Sequence, residues 1–103
     1  MSIIFISGPM SGMPDFNRDA FALTAALLRA TGHTVLNPAI LPDSLTWEHY
    51  MDISLAMLRG ADAIYLLDGW EKSEGAKREF NLARRLRLEI STPESRKGGA
   101  SWF

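Results

Sequence analysis

Ser73, Gly75 and Glu79 lie in the segment Gly69 to Phe80, which follows a buried-looking strand and opens a helix. Serine is a common helix N-cap, and a glycine two residues later lets a ligand approach the free backbone N–H groups of the first turn. These groups and the helix dipole favour an anion such as phosphate. The spacing therefore predicts a phosphate site, while simple capping by Ser73 and close packing at Gly75 remain the alternative interpretation.

Glu79 is a carboxylate on an otherwise apolar side of the same predicted helix. At about 100° per residue, the neighbours on that side are Gly75, Ala76, Leu82, Ala83 and Leu86. A carboxylate in such surroundings costs free energy unless it is paired or used. One turn beyond the helix start, Glu79 is placed for nucleophilic or acid/base chemistry, and a structural ion pair with an arginine is the alternative.

A glycine-bearing loop follows the first predicted strand. It contains Gly8 and Gly12, with Ser7 and Ser11 as hydrogen-bonding residues and Met10 between them. The loop has neither the GxGxxG spacing nor the lysine of a P-loop. We predict that Ser7, Gly8, Met10 and Gly12 contact a substrate, and a plain strand-to-helix turn is the alternative.

Two residues after the third predicted strand are further candidates for substrate binding. Asp68 lies at the end of that strand that faces the expected ligand. Trp70, just beyond it, either stacks on a nucleobase or covers the edge of the sheet.

The strands and helices that must position these residues alternate along the chain. The predicted strands cover residues 3–6, 34–36, 63–67 and 88–91. Three helices connect them: the first begins near Phe16 and stops at Gly32, the second follows the N-cap Thr46, and the third runs from Ser73 to about Leu86. Their apolar spacing selects Phe16, Ala20, Leu23, Leu27 and Leu28 in the first helix, and Trp47, Tyr50, Met51, Leu55 and Leu58 in the second.

This alternation predicts an α/β fold, a Rossmann-like or flavodoxin-like three-layer sandwich. The sheet is expected to be mostly parallel, with strand order 2-1-3-4 and right-handed crossovers. Strands 1 and 3 are then neighbours, and the helices that follow them leave toward opposite faces of the sheet. The loops 8–15 and 68–73 therefore meet at a crevice of the kind in which open α/β sheets bind ligands.

The bulk properties indicate one small domain without a metal or cofactor. We assign residues 1–91 to the domain and residues 92–103 to an irregular tail, whose Trp102 and Phe103 either dock on the protein or stay disordered. Eleven basic and twelve acidic residues give a net charge of −1, which does not suggest nucleic-acid binding. The chain has no cysteine and only two histidines, so no metal cluster is predicted.

The sequence also lacks the features of a membrane or exported protein. No apolar run reaches the roughly 18 residues that span a bilayer, and the first residues do not form a signal peptide. We therefore expect a soluble, cytoplasmic protein with no membrane partner.

Four segments together resemble the nucleoside 2-deoxyribosyltransferase superfamily, including its small phage and bacterial members and the deoxynucleoside 5′-monophosphate N-glycosidases. The segments are Ile6 to Gly12, Gly32 to Pro38, Ala61 to Ile64, and Gly69 to Glu79. The resemblance extends over roughly residues 3–90. It implies a reaction at the anomeric carbon of a deoxyribosyl group, with Glu79 as the nucleophile that displaces the base and forms a glycosyl-enzyme.

The resemblance also bears on the substrate. Six residues before the glutamate, nucleoside transferases tend to carry an aspartate for the sugar 5′-hydroxyl, whereas the monophosphate hydrolases carry a serine, and this chain has Ser73. A serine at a helix N-terminus accepts a phosphate that a carboxylate would repel. The resemblance thus favours a 2′-deoxynucleoside 5′-monophosphate as the small-molecule partner, and it implies a homodimer or larger homo-oligomer.

Three positions depart from the family pattern. The general acid/base aspartate of relatives corresponds to Ser54, which is expected to face inward and contact substrate but cannot readily deliver a proton. Phe5 replaces a tyrosine that lies near the nucleophile in relatives. The arginine of the first loop in some hydrolases is also absent, with Ser11 near its place and Arg18 as a possible substitute.

Two other functions stay open. Ser54 and Phe5 favour a nucleotide-binding module with weak or no catalysis, acting as a sensor, sponge or regulatory protein. Chemistry on NAD or cyclic ADP-ribose is a third class, which rests on analogy between folds.

Overall fold

Four parallel strands form the centre of the protein in a computed structural model that describes residues 2–98. Their order is β2-β1-β3-β4, with every neighbouring pair parallel, which confirms the predicted α/β topology. The strands are β1 (Ile3–Ser7), β2 (Thr34–Leu36), β3 (Ala63–Leu66) and β4 (Glu89–Ser91).

The two central strands are buried because helices cover both faces of the sheet. Ile4 and Ile6 point to one face, where they pack with Phe21 and Leu28 of the first helix. Phe5 points to the other face, in a second cluster that includes Leu58, Ile64, Leu66 and Ala83. Continuous apolar runs in β1 and β3 are typical of strands covered on both sides.

The helices are α1 (Arg18–Ala30), α2 (Trp47–Arg59), α3 (Glu74–Arg85) and α4 (Pro93–Lys97). Three short 3-10 turns lie between these elements: Pro14–Asn17 before α1, Pro38–Ile40 after β2, and Trp70–Lys72 before α3. The predicted caps of α2 and α3 are confirmed, because Thr46 accepts a hydrogen bond from the N–H of His49 and Ser73 from that of Ala76. Element ends differ from the predictions by one or two residues, which is the ordinary uncertainty of helix and strand termini.

The apolar stripe predicted for the first helix is confirmed for Ala20 and Leu28 and is wrong for Phe16, Leu23 and Leu27. The structure buries Phe21, Ala25 and Leu28, whereas Leu23 and Leu27 are 63% and 50% exposed. The helix carries apolar residues on two sides, so helical periodicity alone does not identify the side that contacts the sheet. The prediction selected mainly the outer side.

The prediction of an irregular tail from residue 92 is also wrong for residues 93–97, which form α4. Thr92 and Ser95 form a reciprocal capping box, and Pro93 occupies the first helical turn. Proline and serine are common in irregular segments, but at these positions they start a helix. The predicted role of Trp102 and Phe103 lies outside the described residues.

The loop between β1 and α1 is held by its own side chains rather than by a helix cap. No side chain caps α1, although Asp15 and Asn17 are residue types that often do so, and the Asn17 amide instead donates to the carbonyl of Pro9 at 3.0 Å. Asp15, Phe16 and Asn17 have φ between 48° and 62°. These left-handed residues turn the chain sharply beside the carboxyl edge of the sheet.

Within residues 2–98, no helix is long and apolar enough to cross a membrane.

Candidate functional site

A cavity of about 350 Å³ opens at the carboxyl edge of the sheet. It lies among the β1–α1 loop, the segment that enters α2 and the first turns of α3, close to the predicted crevice. Its volume falls within the usual range for small-molecule sites. The lining consists of Gly8, Pro9, Met10, Ser11, Phe16, Arg18, Leu41, Pro42, Asp43, Leu45, Thr46, Trp47, Tyr50, Met51, Lys72, Ser73, Glu74, Gly75, Ala76 and Glu79.

Glu79 is the buried carboxyl group in the lining, with 3% of its surface exposed. Its Oε1 accepts a hydrogen bond from Ser7 Oγ at 2.6 Å. Its Oε2 is buried and, among the described residues, has no hydrogen-bond partner. Buried polar atoms usually have a partner, and exceptions often mark sites that act on a ligand. The carboxyl group is thus held by one oxygen and left available at the other.

Burial raises the pKa of Glu79 from 4.5 to about 7. The hydrogen bond from Ser7 acts in the opposite direction by favouring the ionised form, and the nearby Ser54 hydroxyl does the same. In this structure the Ser54 hydroxyl donates a hydrogen bond to the Met51 carbonyl at 3.3 Å. A hydrogen bond from Ser54 to Glu79 would therefore replace the bond to that carbonyl. Near neutral pH, Glu79 is therefore close to the midpoint between its carboxylate and carboxylic acid forms.

The N-terminus of α3 supplies the other polar part of the cavity. A helix start leaves its first N–H groups without partners inside the helix, and Ser73 Oγ accepts only that of Ala76, at 3.2 Å. The N–H groups of Glu74 and Gly75 are left for water or a ligand. Glu79 lies on the same helix, one turn further along. An anionic group bound at the helix start would therefore lie next to the carboxyl group.

Gly75 lies where α3 packs closely on α2. A Cβ atom at this position would lie 3.2 Å from Met51 Sδ and 3.8 Å from Trp47 Nε1. Gly8 has an even tighter environment, because a Cβ there would meet the Cβ of Leu67 at 2.8 Å. Both glycines thus let the walls of the cavity approach each other, which is a packing role beside any contact with ligand.

Tyr50 is a cavity residue that sequence reasoning assigned only to the core. Its hydroxyl donates to Met10 Sδ at 3.0 Å, and burial raises its pKa, with the nearby Glu79 acting in the same direction. A thioether is a weak acceptor, so a ligand oxygen or nitrogen can readily replace it. Phe5, where relatives carry a tyrosine, is fully buried in the core. The spacing of Tyr50 and Ser54 by one helical turn was the signal available in the sequence.

Arg18 links two loops across the cavity. Its guanidinium pairs with Asp15 at 2.7 Å and with Asp43, and it also donates to the carbonyl of Ala39. Arg18 therefore does lie in the cavity wall, as required of a substitute for the missing arginine. Two carboxylates neutralise it, however, so it is not a free anion-binding group.

The structure brings together five of the predicted site residues in the cavity wall: Gly8, Met10, Ser73, Gly75 and Glu79. Ser7 lies behind the wall and contacts Glu79. Ser54 faces inward as predicted, is fully buried, and is not part of the lining.

Three predicted site residues lie elsewhere. Trp70 is about 4.7 Å from Phe80 between ring centroids and packs against the core, so it covers the sheet rather than facing the cavity. Asp68 lines a separate shallow depression between α1 and α4. Gly12 has a φ of 80° and does not line the cavity, which assigns it to the turn. The sequence alone does not show whether a residue that follows a strand projects toward the cavity or away from it.

Among the described residues, no group of three His, Cys, Asp or Glu side chains is arranged to hold a metal ion.

Comparison with known proteins identifies a family and a fold. Residues 2–92 match the family described as "Domain of unknown function (DUF4406)". No curated protein matches the sequence. Among solved structures, the "2-desoxiribosyltransferase from Leishmania mexicana" is similar, with a TM-score of 0.70 and 21% identity.

The alignment with that structure covers 87% of this chain and 62% of the Leishmania chain, so the protein spans less than two thirds of its length. The resemblance drawn from sequence motifs is confirmed at the level of the fold. The chain belongs to the DUF4406 family and has the fold of a 2-deoxyribosyltransferase.

Proposed function

We propose that the protein cleaves the N-glycosidic bond of a 2′-deoxynucleoside 5′-monophosphate, with Glu79 as the nucleophile. The observation that carries this proposal is the buried carboxyl group of Glu79, which lines a ligand-sized cavity and whose Oε2 has no hydrogen-bond partner among the described residues. A structural ion pair, the alternative for this residue, finds no support, since its hydrogen bond comes from the neutral Ser7.

The start of α3 supports a phosphate on the substrate. The N–H groups of Glu74 and Gly75 are free of helical partners, and Lys72 adds a positive charge to the lining. The carboxylates of Glu74 and Asp43 also line the cavity. We therefore expect backbone N–H groups, rather than a cluster of cations, to bind the phosphate.

The proposed reaction has two displacement steps. Glu79 Oε2 attacks C1′, forming a C–O bond while the bond from C1′ to the base nitrogen breaks and its electrons leave with the base. Water then attacks C1′ of the glycosyl-enzyme and loses a proton, which releases deoxyribose 5-phosphate and regenerates the Glu79 carboxylate. The departed base takes up one proton, so the net reaction is hydrolysis. A second base in place of water would give transfer.

Tyr50 is the hydroxyl that we assign to the ligand side of the reaction. It lines the cavity, and its raised pKa keeps it protonated near neutral pH. When a ligand atom replaces Met10 Sδ as the acceptor, the Tyr50 hydroxyl can donate its hydrogen bond to the sugar or to the departing base. Ser54 does not reach the cavity and donates elsewhere.

Release of free base from a panel of deoxynucleoside 5′-monophosphates, deoxynucleosides and NAD tests the proposal. We expect activity on a monophosphate, loss of at least a hundredfold in Glu79→Gln, and little change in the exposed control Glu71→Gln. Mass spectrometry of quenched protein should show a deoxyribosyl phosphate adduct in the wild type only. Equal rates for folded wild type and Glu79→Gln would refute the role of Glu79.

A binding module without efficient catalysis is the second candidate. Ser54 favours it, because a buried serine that donates to a backbone carbonyl does not replace an acid. This function predicts saturable nucleotide binding, measured by calorimetry, with no base release. Ser54→Asp should then gain activity, whereas the exposed Asp52→Ser on the same helix should have no effect. Absence of binding to every nucleotide tested would contradict both candidates.

A further inference from the structure

A second concave surface of the protein lies between α1 and α4, on the face of the sheet that α1 covers. This α1–α4 depression has a volume of about 650 Å³. Apolar and aromatic side chains form more than half of its lining: Met13, Ala20, Leu23, Tyr65, Leu67 and Pro93. Met13 is 40% exposed and Leu23 is 63% exposed. Concave apolar surface indicates a binding site more strongly than scattered exposed side chains do.

Charged groups in the lining narrow the chemistry of the occupant. The exposed Asp68 carboxylate has no hydrogen bond or ion pair with another described residue. Arg96 and Lys97 add positive charge on the α4 side. An indole suits this combination, because its apolar ring fills the depression while its N–H, which can only donate, matches the carboxylate of Asp68. The face of an indole also attracts cations such as Lys97.

We propose that the indole of Trp102 of the same chain occupies the α1–α4 depression. The described part of the chain ends at Gly98, directly after α4, and Lys97 at the end of this helix lines the depression. Trp102 follows Lys97 by five residues. A chain spans at most about 3.5 Å per residue, so Trp102 lies within about 18 Å of Lys97. Gly98 and Gly99 allow the backbone to reverse toward the depression.

The covalent connection to α4 favours the same chain over a separate partner. Arg96 fixes α4 on the sheet, because it donates to the Leu66 carbonyl and lies over the Tyr65 ring. A group tethered by a short linker is present at an effective concentration that reaches the millimolar range. The contact within the chain therefore needs less binding free energy than the same contact with a separate molecule. This inference is independent of the proposed function, because the depression and the Glu79 cavity share no lining residue.

A double-mutant cycle on the whole chain tests the contact between Leu23 and Trp102. Leu23→Ser and Trp102→Ser are made singly and together, and urea denaturation gives the unfolding constant of each variant. Leu23 is 63% exposed, so without an occupant its substitution should have little effect. We expect Leu23→Ser to raise the unfolding constant by about fivefold in the wild type and by less than about twofold in Trp102→Ser.

Leu27→Ser is the matched control for the cycle. Leu27 lies on the same helix and is 50% exposed, but it does not line the depression. Its substitution should therefore have the same effect with Trp102 and with Trp102→Ser. An effect of Leu23→Ser that is equal in the two backgrounds would overturn the proposal.

Disulfide formation distinguishes the same chain from a second copy. The chain has no cysteine, so Thr24→Cys combined with Ser101→Cys supplies a single pair of thiols, one of them in the lining. With oxidised glutathione, we expect a disulfide within one chain to form about ten times faster than for Ala22→Cys with Ser101→Cys. Ala22 is exposed on α1 but does not line the depression. Mass spectrometry of proteolytic digests and electrophoresis without reductant measure both reactions.

Two outcomes of the disulfide experiment would overturn the proposal. Equal rates for the two pairs of thiols would show that Ser101 and Trp102 have no preference for the depression. Disulfides mainly between chains would assign the depression to a second copy of the protein.

Discussion

At the level of single residues, Glu79 combines burial with an oxygen that lacks a hydrogen bond among the described residues. Desolvation favours its neutral form, whereas the Ser7 hydroxyl favours its ionised form. A pKa of about 7 leaves both forms populated at neutral pH. In the proposed reaction Glu79 must be ionised to act as the nucleophile, so we expect base release to increase with pH up to about 7 and then to level off.

The same pKa predicts how stability depends on pH. The native state holds the Glu79 proton more tightly than the unfolded chain, so this contribution is complete below pH 4.5 and is lost as the pH rises through about 7. A Glu79 pKa that is about 2.5 higher in the native state than in the unfolded chain corresponds to about 3 kcal/mol of stability. Denaturant unfolding should show that the free energy of unfolding of wild type, relative to Glu79→Gln, falls by about this amount across the interval.

Two further variants control that measurement. Ser7→Ala removes a hydrogen bond that lowers the Glu79 pKa, so it should shift the transition to higher pH. Glu71→Gln, at an exposed residue, should follow the wild-type curve. A wild-type profile parallel to that of Glu79→Gln would show that the carboxyl group titrates normally.

At the level of elements, the start of α3 combines a helix cap with the proposed phosphate site. Ser73 caps the helix through Ala76, and this requirement alone would explain the serine. A negative charge at this position distinguishes the two roles. Aspartate is as good an N-cap as serine, but its carboxylate would repel a bound phosphate.

Ser73→Asp therefore separates the two roles. Aspartate caps about as well as serine, so the free energy of unfolding should change by less than about 0.5 kcal/mol. Affinity for a deoxynucleoside 5′-monophosphate, measured by calorimetry, should fall at least tenfold, while that for the nucleoside should not fall. Thr92→Asp makes the same kind of cap exchange on α4, away from the cavity, and should change neither affinity. An equal loss for nucleoside and monophosphate would argue against a phosphate at Ser73.

At the level of the whole molecule, Arg96 attaches the last described helix to the sheet. Its guanidinium donates to the carbonyl of Leu66 at 2.7 Å and to the carbonyl and hydroxyl oxygens of Ser91, and it lies 3.9 Å from the centroid of the Tyr65 ring. Hydrogen bonds to charged groups contribute more than neutral ones. The helix α4 is thus part of the folded domain rather than an appendage.

Arg96→Met should lower the free energy of unfolding by about 1–3 kcal/mol, because it leaves the Leu66 carbonyl without this charged donor. Lys97→Met on the same helix removes only a long, exposed contact with Glu94 and should cost less than about 0.5 kcal/mol. Chemical denaturation checks both variants. Equal stability of the two would show that α4 contributes little to the fold.

The sequence by itself determined the strand order, the parallel sheet and the placement of Glu79 beside the start of α3. The positions of the strands, the Ser73 cap and the helical periodicity are local signals that act over a few residues. The strand order follows from the alternation of strands and helices together with right-handed crossovers. The residues of the Thr92 and Ser95 capping box are also local, but the surrounding proline, serine, glycine and charged residues favoured an irregular segment.

Only the tertiary structure decided which side of an element faces which neighbour. Both sides of α1 are apolar, so the choice of Phe21 over Leu23 depended on the sheet beneath it. Trp70 covers the sheet, one of its two predicted places, whereas Tyr50 lines the cavity instead of the core, because the direction in which a side chain projects depends on packing between distant segments. The raised pKa of Glu79 likewise required its burial by the whole fold, and no local pattern specifies such an environment.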